Sequence, residues 1–170
     1  MTGRLIAIEG SEGSGKTTQA QMLAESLGAV FTREPGGTPL GEQIRDLLLG
    51  TDGDAPCDRA EALLMAAARA QHVDRVVAPA LAGGNDVVTD RYIGSSLAYQ
   101  GAGRGLGVAA VAAVSAFAVD GVEADLVVLL DVDVASAASR LERSLDRIEQ
   151  AGEEFHARVA AAYRDLAAAD

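Results

Sequence analysis

Short apolar runs, each closed by glycine, proline or an acidic residue, alternate along this chain with longer stretches whose apolar positions return every three or four residues. The short runs Leu5-Ile6-Ala7-Ile8 and Ala29-Val30-Phe31-Thr32, with residues 86–90 and 125–131, have the length and composition of buried strands. The run over 125–131 is the most uniformly apolar and predicts the clearest buried strand. The longer stretches predict helices. Residues 17–27 turn Met22, Leu23 and Leu27 inward, and residues 41–49 do the same with Ile44, Leu47 and Leu48. The longest pattern, 58–81, carries Leu63, Leu64, Ala67, Ala68 and Val76 as its core stripe. Further helices are predicted over 108–119 and 135–148, and a last amphipathic one carries Phe155, Val159, Tyr163 and Leu166. Strands alternating with helices predict an α/β domain of three layers, with four strands in a central parallel β-sheet flanked by helices.

Between the first strand and the first helix lies Gly10-Ser11-Glu12-Gly13-Ser14-Gly15-Lys16-Thr17, followed by Thr18. This is a phosphate-binding loop in the setting it requires, after a strand and before a helix. The glycines let successive backbone N–H groups face a polyphosphate, and the helix dipole adds to them. Lys16 is placed to reach the β- and γ-phosphates, and the Thr17 hydroxyl to ligate a Mg²⁺ between them. The pattern therefore predicts a P-loop NTPase fold that binds a nucleoside triphosphate with Mg²⁺.

Other candidates follow from position. The predicted third strand ends on Asp90, followed by Arg91, Tyr92, Ser95 and Ser96, at the sheet edge where ligands of open α/β sheets bind. Asp90 suits Mg²⁺ held through water and Arg91 an anion; a plain surface ion pair is the competing reading. Asp131 ends the fourth strand and rivals Asp90 for the metal, which Asp90 is favoured to hold because only it has an arginine beside it. Met65, Arg69 and His72 share one face of the long helix and either line a cleft or belong to core and solvent. Arg140, Arg143 and Arg147 share one side of the 135–148 helix, as a cationic arm or as a solvated face balanced by Glu142, Asp146 and Glu149. The glycines from Gly101 to Gly107 form a loop with no strand before it, so they are not a dinucleotide fingerprint.

Length and composition narrow the partners. The chain has 170 residues, enough for one domain with a proper core, and is 49% hydrophobic and 23% charged. A net charge of −11 argues against a nucleic-acid partner, though not against a mononucleotide. The single cysteine, Cys57, excludes an internal disulfide and reads as a helix-start residue. No leader peptide and no membrane-length apolar run is visible, so the expectation is a cytoplasmic protein with no membrane partner.

Taken together these residues resemble the thymidylate kinase family, P-loop nucleoside monophosphate kinases that phosphorylate dTMP with ATP. The resemblance is carried, in one order, by Glu9 to Thr18, Thr32-Arg33-Glu34-Pro35-Gly36-Gly37-Thr38, and Leu63-Leu64-Met65 with Arg69. It continues through Asp90-Arg91-Tyr92 with Ser95, Ala98-Tyr99-Gln100-Gly101 and Asp146-Arg147-Ile148-Glu149. It implies that Arg91 and Arg45 hold the dTMP phosphate, that Arg69 hydrogen-bonds thymine with Ser96 nearby, and that Glu34 and Ser95 line the same site. It also implies that Tyr99 excludes a 2′-hydroxyl, that Glu12 approaches the 3′-hydroxyl and the reacting phosphates, and that Met65 packs on the base where the family commonly has Phe. Lys16 and an arginine of a lid near 138–150 would neutralise the moving phosphoryl group, Arg143 first and Arg147 second. A homodimer is implied as well, with dTMP and ATP as small-molecule partners. The family's last strand and last helix are expected to be absent from this sequence. A P-loop kinase for another small nucleotide, and a nucleotide-binding remnant without kinase activity, are the alternatives.

Overall fold

The computed structural model describes residues 3–132 and 146–169. Strand β1 (Leu5–Glu9) leads through the glycine loop into helix α1 (Lys16–Leu27), and β2 (Val30–Arg33) follows. Helix α2 (Pro39–Leu49) and α3 (Asp58–His72) come next; α3 continues through a π-helical turn, Val73–Val77, into α4 (Ala78–Ala82). Strand β3 (Val87–Asp90) leads into α5 (Ile93–Ser96), which widens into a π-helical stretch, Leu97–Gly103. Helix α6 (Val108–Val119), strand β4 (Leu126–Leu129) and helix α7 (Glu153–Ala169) complete the described chain.

The four strands pair in parallel in the order β2-β3-β1-β4. Alternation along the two central strands builds the three layers. Leu5, Ala7 and Val87 face one side, where they pack with Val73, Val77, Leu81, Val119 and Val122. Ile6, Ile8 and Val88 face the other, against Ala20 and Ala24 of α1. The register sets Ile8 opposite Asp90 and Arg33 opposite Asp90, so these strands deliver their polar last residues to one edge. That edge is where the P-loop leaves β1.

The predicted three-layer α/β fold is the one observed, with instructive differences in detail. Helix α1 does not bury Met22 and Leu27, which are 58% and 44% exposed; it buries Ala20 and Ala24. Small residues let the helix that follows the P-loop lie close against the sheet. The 58–81 pattern is continuous helix as expected, with a π-turn ahead of Pro79. Proline lacks the N–H and crowds the carbonyl four residues back, and the wider turn takes up both defects. Of its expected stripe Ala68 is buried and Leu64 and Val76 half-buried, but Leu63 is 59% exposed and Ala67 is exposed as well, while Glu61, Met65, Arg69 and His72 face inward. Polar residues displace leucine there because each finds a buried partner. The fourth strand is an edge rather than an interior strand among the described residues, with Leu126 and Val127 about half exposed. Uniform apolarity carries no information about how many neighbours a strand has. The segment after Arg91 is helical, and the helix runs into the glycine stretch read as a loop, ending at Gly103. The helices over 108–119 and around Phe155 to Leu166 are where the periodicity places them, and Cys57 caps α3 as an exposed residue. Most of the expected 135–148 helix, with Arg140 and Arg143, lies outside the described residues.

Candidate active site

A cleft of about 780 Å³ opens at the carboxyl edge of the sheet. One end is the P-loop and the start of α1, with Gly13, Gly15, Lys16, Thr17 and Thr18 in the wall. Gly10 and Gly15 adopt φ of 151° and 86°, which the loop needs in order to curl its amides inward, and a Cβ on Gly10 would lie 2.6 Å from the Leu130 carbonyl. Gly15 caps α1, whose N-terminal amides open onto the loop. Lys16 Nζ donates to the Ser11 carbonyl at 3.1 Å. Burial, aided by Arg91, lowers its ammonium pKa to about 8 against the opposing pull of Glu12, Asp90 and Glu9. The Ser14 hydroxyl is buried without a hydrogen-bond partner among the described residues.

The Thr17 hydroxyl donates to Asp90 Oδ2 at 2.5 Å, so β3 and the P-loop meet at this pair. Asp90 Oδ1 is buried with no partner among the described residues, an orphaned acceptor that a hydrated cation would satisfy. Thr17 and Asp90 therefore fit a Mg²⁺ that arrives with a polyphosphate. Among the described residues no cluster of three metal-binding side chains would hold one by itself. Asp131 pairs with Arg164 on the surface, with Nε donating at 2.9 Å, so the geometry favours Asp90 over its rival.

Arg91 is the junction of the two ends. Its φ is 74°, a left-handed conformation rare for a long side chain and of the kind stored at functional sites. Its Nη1 donates to the Gly10 carbonyl, Ser95 Oγ and Tyr163 Oη at 3.1, 3.0 and 3.2 Å. Its Nη2 donates to Glu12 Oε1 at 2.5 Å and to Tyr99 Oη at 3.4 Å. The Tyr99 hydroxyl donates in turn to Glu12. Burial alone would raise the Glu12 carboxyl, but Arg91, Lys16 and Tyr99 outweigh it and hold its pKa down to about 2. Burial likewise pushes the Tyr99 phenol well above its ordinary value.

At the far end the wall includes Arg33, Glu34, Pro35, Arg45, Met65, Ser95, Tyr99 and Gln100. Thr38 caps α2 by accepting from the Gly41 amide at 3.0 Å, with Pro39 at the first helical position; that start aims Arg45 at the cleft. Arg45 Nη1 donates to the Pro35 carbonyl at 3.0 Å and makes no ion pair among the described residues. Burial, with Arg33 nearby, lowers its pKa. Met65 is both core and wall, packed with Ile44, Leu48 and Ala68.

Three predicted site residues stand elsewhere. Arg69, 1% exposed, lies behind the wall: Nε donates to Glu34 Oε2 at 2.7 Å, Nη1 to Ser96 and Ser115, and Nη2 to the Tyr92 carbonyl. His72 Nδ1 donates to the other Glu34 oxygen at 2.9 Å. Arg69 and Ser96 thus support Glu34 from below and are not in the cleft surface. Arg147, the second choice for the lid arginine, is turned away, with Nη2 donating to Glu61 at 2.7 Å and Nε to the Leu48 carbonyl at 2.8 Å. A buried carboxylate and a helix C-terminus outcompete an open cleft for that guanidinium. Its neighbours Asp146, Ile148 and Glu149 do line the cleft. Arg143 lies outside the described residues.

One wall residue was quoted in the sequence without a role. Gln100 donates from Nε2 to Glu61 at 2.9 Å, and its Oε1 is buried without a partner among the described residues. Since a carboxylate accepts and the amide must donate to it, the oxygen is left for a ligand donor. Its place in the Ala98-Tyr99-Gln100-Gly101 block was the only signal available.

A glycine loop between a strand and a helix, a Thr–Asp pair beside it and a cationic far wall in the same cleft define a P-loop nucleotide-binding protein. A sequence profile of the family described as thymidylate kinase matches residues 8–170. The chain belongs to the thymidylate kinase family. The thymidylate kinase of Synechococcus sp. (strain WH7803) is 51% identical over 180 residues, covering 99% of this chain and 84% of that protein. That of Cutibacterium acnes (strain DSM 16379 / KPA171202) is 47% identical over 174 residues, covering 99% and 85%. The crystal structure of thymidylate kinase from Ehrlichia chaffeensis superposes with a TM-score of 0.82 at 32% identity, over 99% of this chain and 89% of that one.

Proposed function

We propose that this protein transfers the γ-phosphoryl group of ATP to dTMP, giving dTDP and ADP. The observation that carries the reading is Arg91, an anion-binding guanidinium on the acceptor side that donates to the Gly10 carbonyl and to Glu12 of the donor loop. An arginine placed there brings an acceptor phosphate to the polyphosphate, and proximity is most of what phosphoryl transfer requires. In this reading Gly10, Ser11, Glu12, Gly13, Ser14, Gly15, Lys16, Thr17 and Thr18 form the ATP phosphate cradle. Thr17 and Asp90 hold Mg²⁺, which neutralises charge between the phosphates when bound. Arg91 and Arg45 hold the dTMP phosphate, Met65 packs on the base, Gln100 meets the base edge and Tyr99 crowds the sugar, with Glu34 seated by Arg69. Arg143, from the segment near 138–150, is the lid arginine that reaches the moving group.

Family membership disfavours a binding-only remnant. Among the described residues no helix is long and apolar enough to cross a membrane. The reading carries with it a cytoplasmic enzyme whose partners are the small molecules dTMP and ATP. The apolar outer face of α6 supports a homodimer. The direct test is ADP release with ATP, Mg²⁺ and each nucleoside monophosphate in turn, with Lys16→Ala as control. Turnover with dTMP well above the others is expected; turnover preferring another monophosphate, or surviving Lys16→Ala unchanged, would replace this reading.

A further inference from the structure

Glu9 is the last residue of β1 and precedes the first P-loop glycine, yet no role assigned above uses it. Its carboxylate is 2% exposed and receives four hydrogen bonds. Oε1 accepts from the Tyr92 and Ser95 amides at 2.9 and 3.0 Å. Oε2 accepts from Ser95 Oγ at 2.6 Å and from Tyr163 Oη at 3.0 Å. These same two hydroxyl oxygens lie 3.0 and 3.2 Å from Arg91 Nη1. Gly94 protects the seat, because a Cβ there would stand 2.9 Å from Oε1.

The polarity of this chain is set at Glu9. Burial pushes the Glu9 carboxyl up while its hydrogen bonds and Arg91 oppose that, and the convergence of four donors on it is the pattern of a carboxylate, which cannot donate. A hydroxyl has one proton. The two hydroxyls also lie 2.9 Å from each other, but a carboxylate oxygen is a stronger acceptor than a hydroxyl, so both protons go to Oε2. Both hydroxyl oxygens are then left as acceptors, and Arg91 Nη1 has only donors to offer them. We propose that Glu9 is a positioning residue for the acceptor phosphate: by taking the Ser95 and Tyr163 protons it turns both oxygens toward Arg91 and fixes that guanidinium at the mouth of the P-loop. The proposal rests on the reading of Arg91 as a ligand of the dTMP phosphate.

Glu9→Gln inverts the arrangement with almost no change of shape. The two backbone amides can be served only by the Gln carbonyl, which forces the NH₂ group against the hydroxyls. They must accept from it and send a proton elsewhere, and the protons that turn outward meet Arg91. The ligand pair that isolates this effect is dTMP and thymidine, which differ by the phosphate alone. Calorimetric titration of each, without ATP, into wild-type and Glu9→Gln protein is the test. The expected result is a loss on the order of tenfold in dTMP affinity with thymidine affinity unchanged. Glu9→Gln protein that keeps the wild-type ratio of dTMP to thymidine affinity, or loses both affinities together, overturns the proposal. Wild-type protein that binds both ligands equally would overturn the assignment of Arg91, and the proposal with it. If Glu9→Gln does not fold, Tyr163→Phe decides: removing one of the two oxygens should cost a smaller factor, confined to dTMP, and an equal or absent effect on both ligands overturns it.

Discussion

Glu12 is the P-loop residue whose charge is most tightly tied to the far side of the cleft. Its carboxylate neutralises Arg91 at 2.5 Å and accepts from Tyr99. Its pKa, depressed from 4.5 to about 2, makes it a source of stability whose sign is fixed by linkage. The contribution is fully present above the unfolded value near 4.5 and is lost as pH falls through about 2. Its size is at most about 3 kcal/mol, and coupling to Arg91 and Lys16 makes that an upper bound. Urea unfolding of wild type and Glu12→Gln should therefore show a wild-type advantage at pH 7 that shrinks steadily between pH ~4.5 and ~2. A gap of the same size at pH 3 and pH 7 would mean that the ion pair contributes nothing net. Residues of this kind were legible in the sequence because their chemistry is local: Lys16 and Thr17 belong to one loop, and Asp90 and Arg91 follow one strand. Glu9 and Tyr163 interact across 154 positions, and no local pattern marks such a pair. The buried destination of Arg69 depends on Glu34 and Ser115 in the same way.

At the scale of elements, the polar network around Glu61 does what the leucine pattern of α3 was expected to do. Glu61 is fully buried and accepts from Gln100, both Arg104 Nε and Nη2, and Arg147 Nη2. It thereby ties α3 to the π-helical stretch after α5 and to the turn at residues 146–150. Arg147 extends the tie to the end of α2, through its donations to the Leu48 and Leu49 carbonyls. Burial would raise the Glu61 carboxyl, but its hydrogen bonds from Arg104, Gln100 and Arg147 outweigh that and lower it. Glu61→Ala leaves two guanidinium groups without their carboxylate, a loss of about 3–5 kcal/mol by analogy with other broken buried pairs. Chemical denaturation measures it directly, and a loss below ~1 kcal/mol would show that water replaces the carboxylate without penalty. Periodicity located α1, α2, α3, α6 and α7, because the period is a property of the backbone. It misjudged which faces of α1 and α3 turn inward, since small and ion-paired residues bury as well as large apolar ones when the neighbouring element accommodates them. The widened helix after Ser96 was missed for a related reason, as its glycines argue for a loop until the packing of α6 and α7 against it is known.

For the whole molecule, the unexplained surface is the outer side of α6. From Val108 to Val119 its only polar residue, Ser115, is buried, so the exposed side consists of Val, Ala and Phe117, the last 90% exposed. A helix apolar on all sides is one covered on both sides. Helix α3 packs beside it and has an exposed leucine of its own, Leu63 at 59%. An isologous dimer would bury the outer side of α6 against itself, with each copy presenting the same surface. A net charge of −11 would otherwise favour separated chains, so association has to come from apolar contact at a neutral surface, which this face provides. Sedimentation equilibrium should give twice the chain mass for the wild type at micromolar concentration. Phe117→Asp, which enters a twofold interface twice, should shift the mass to that of one chain. Its exposure means that the folded monomer loses no core contact, so the far-UV circular dichroism should be unchanged. A wild type that sediments as one chain, or a Phe117→Asp protein that stays paired, would assign the exposed phenylalanine to something other than self-association. Because described residues of this chain form the cleft wall from the P-loop to Arg91 and Arg45, dissociation should leave nucleotide affinity within a small factor of the wild type. A monomer that binds dTMP but turns over poorly would place the dimer's contribution in the motion of α3, whose inner face carries Met65 at the cleft wall.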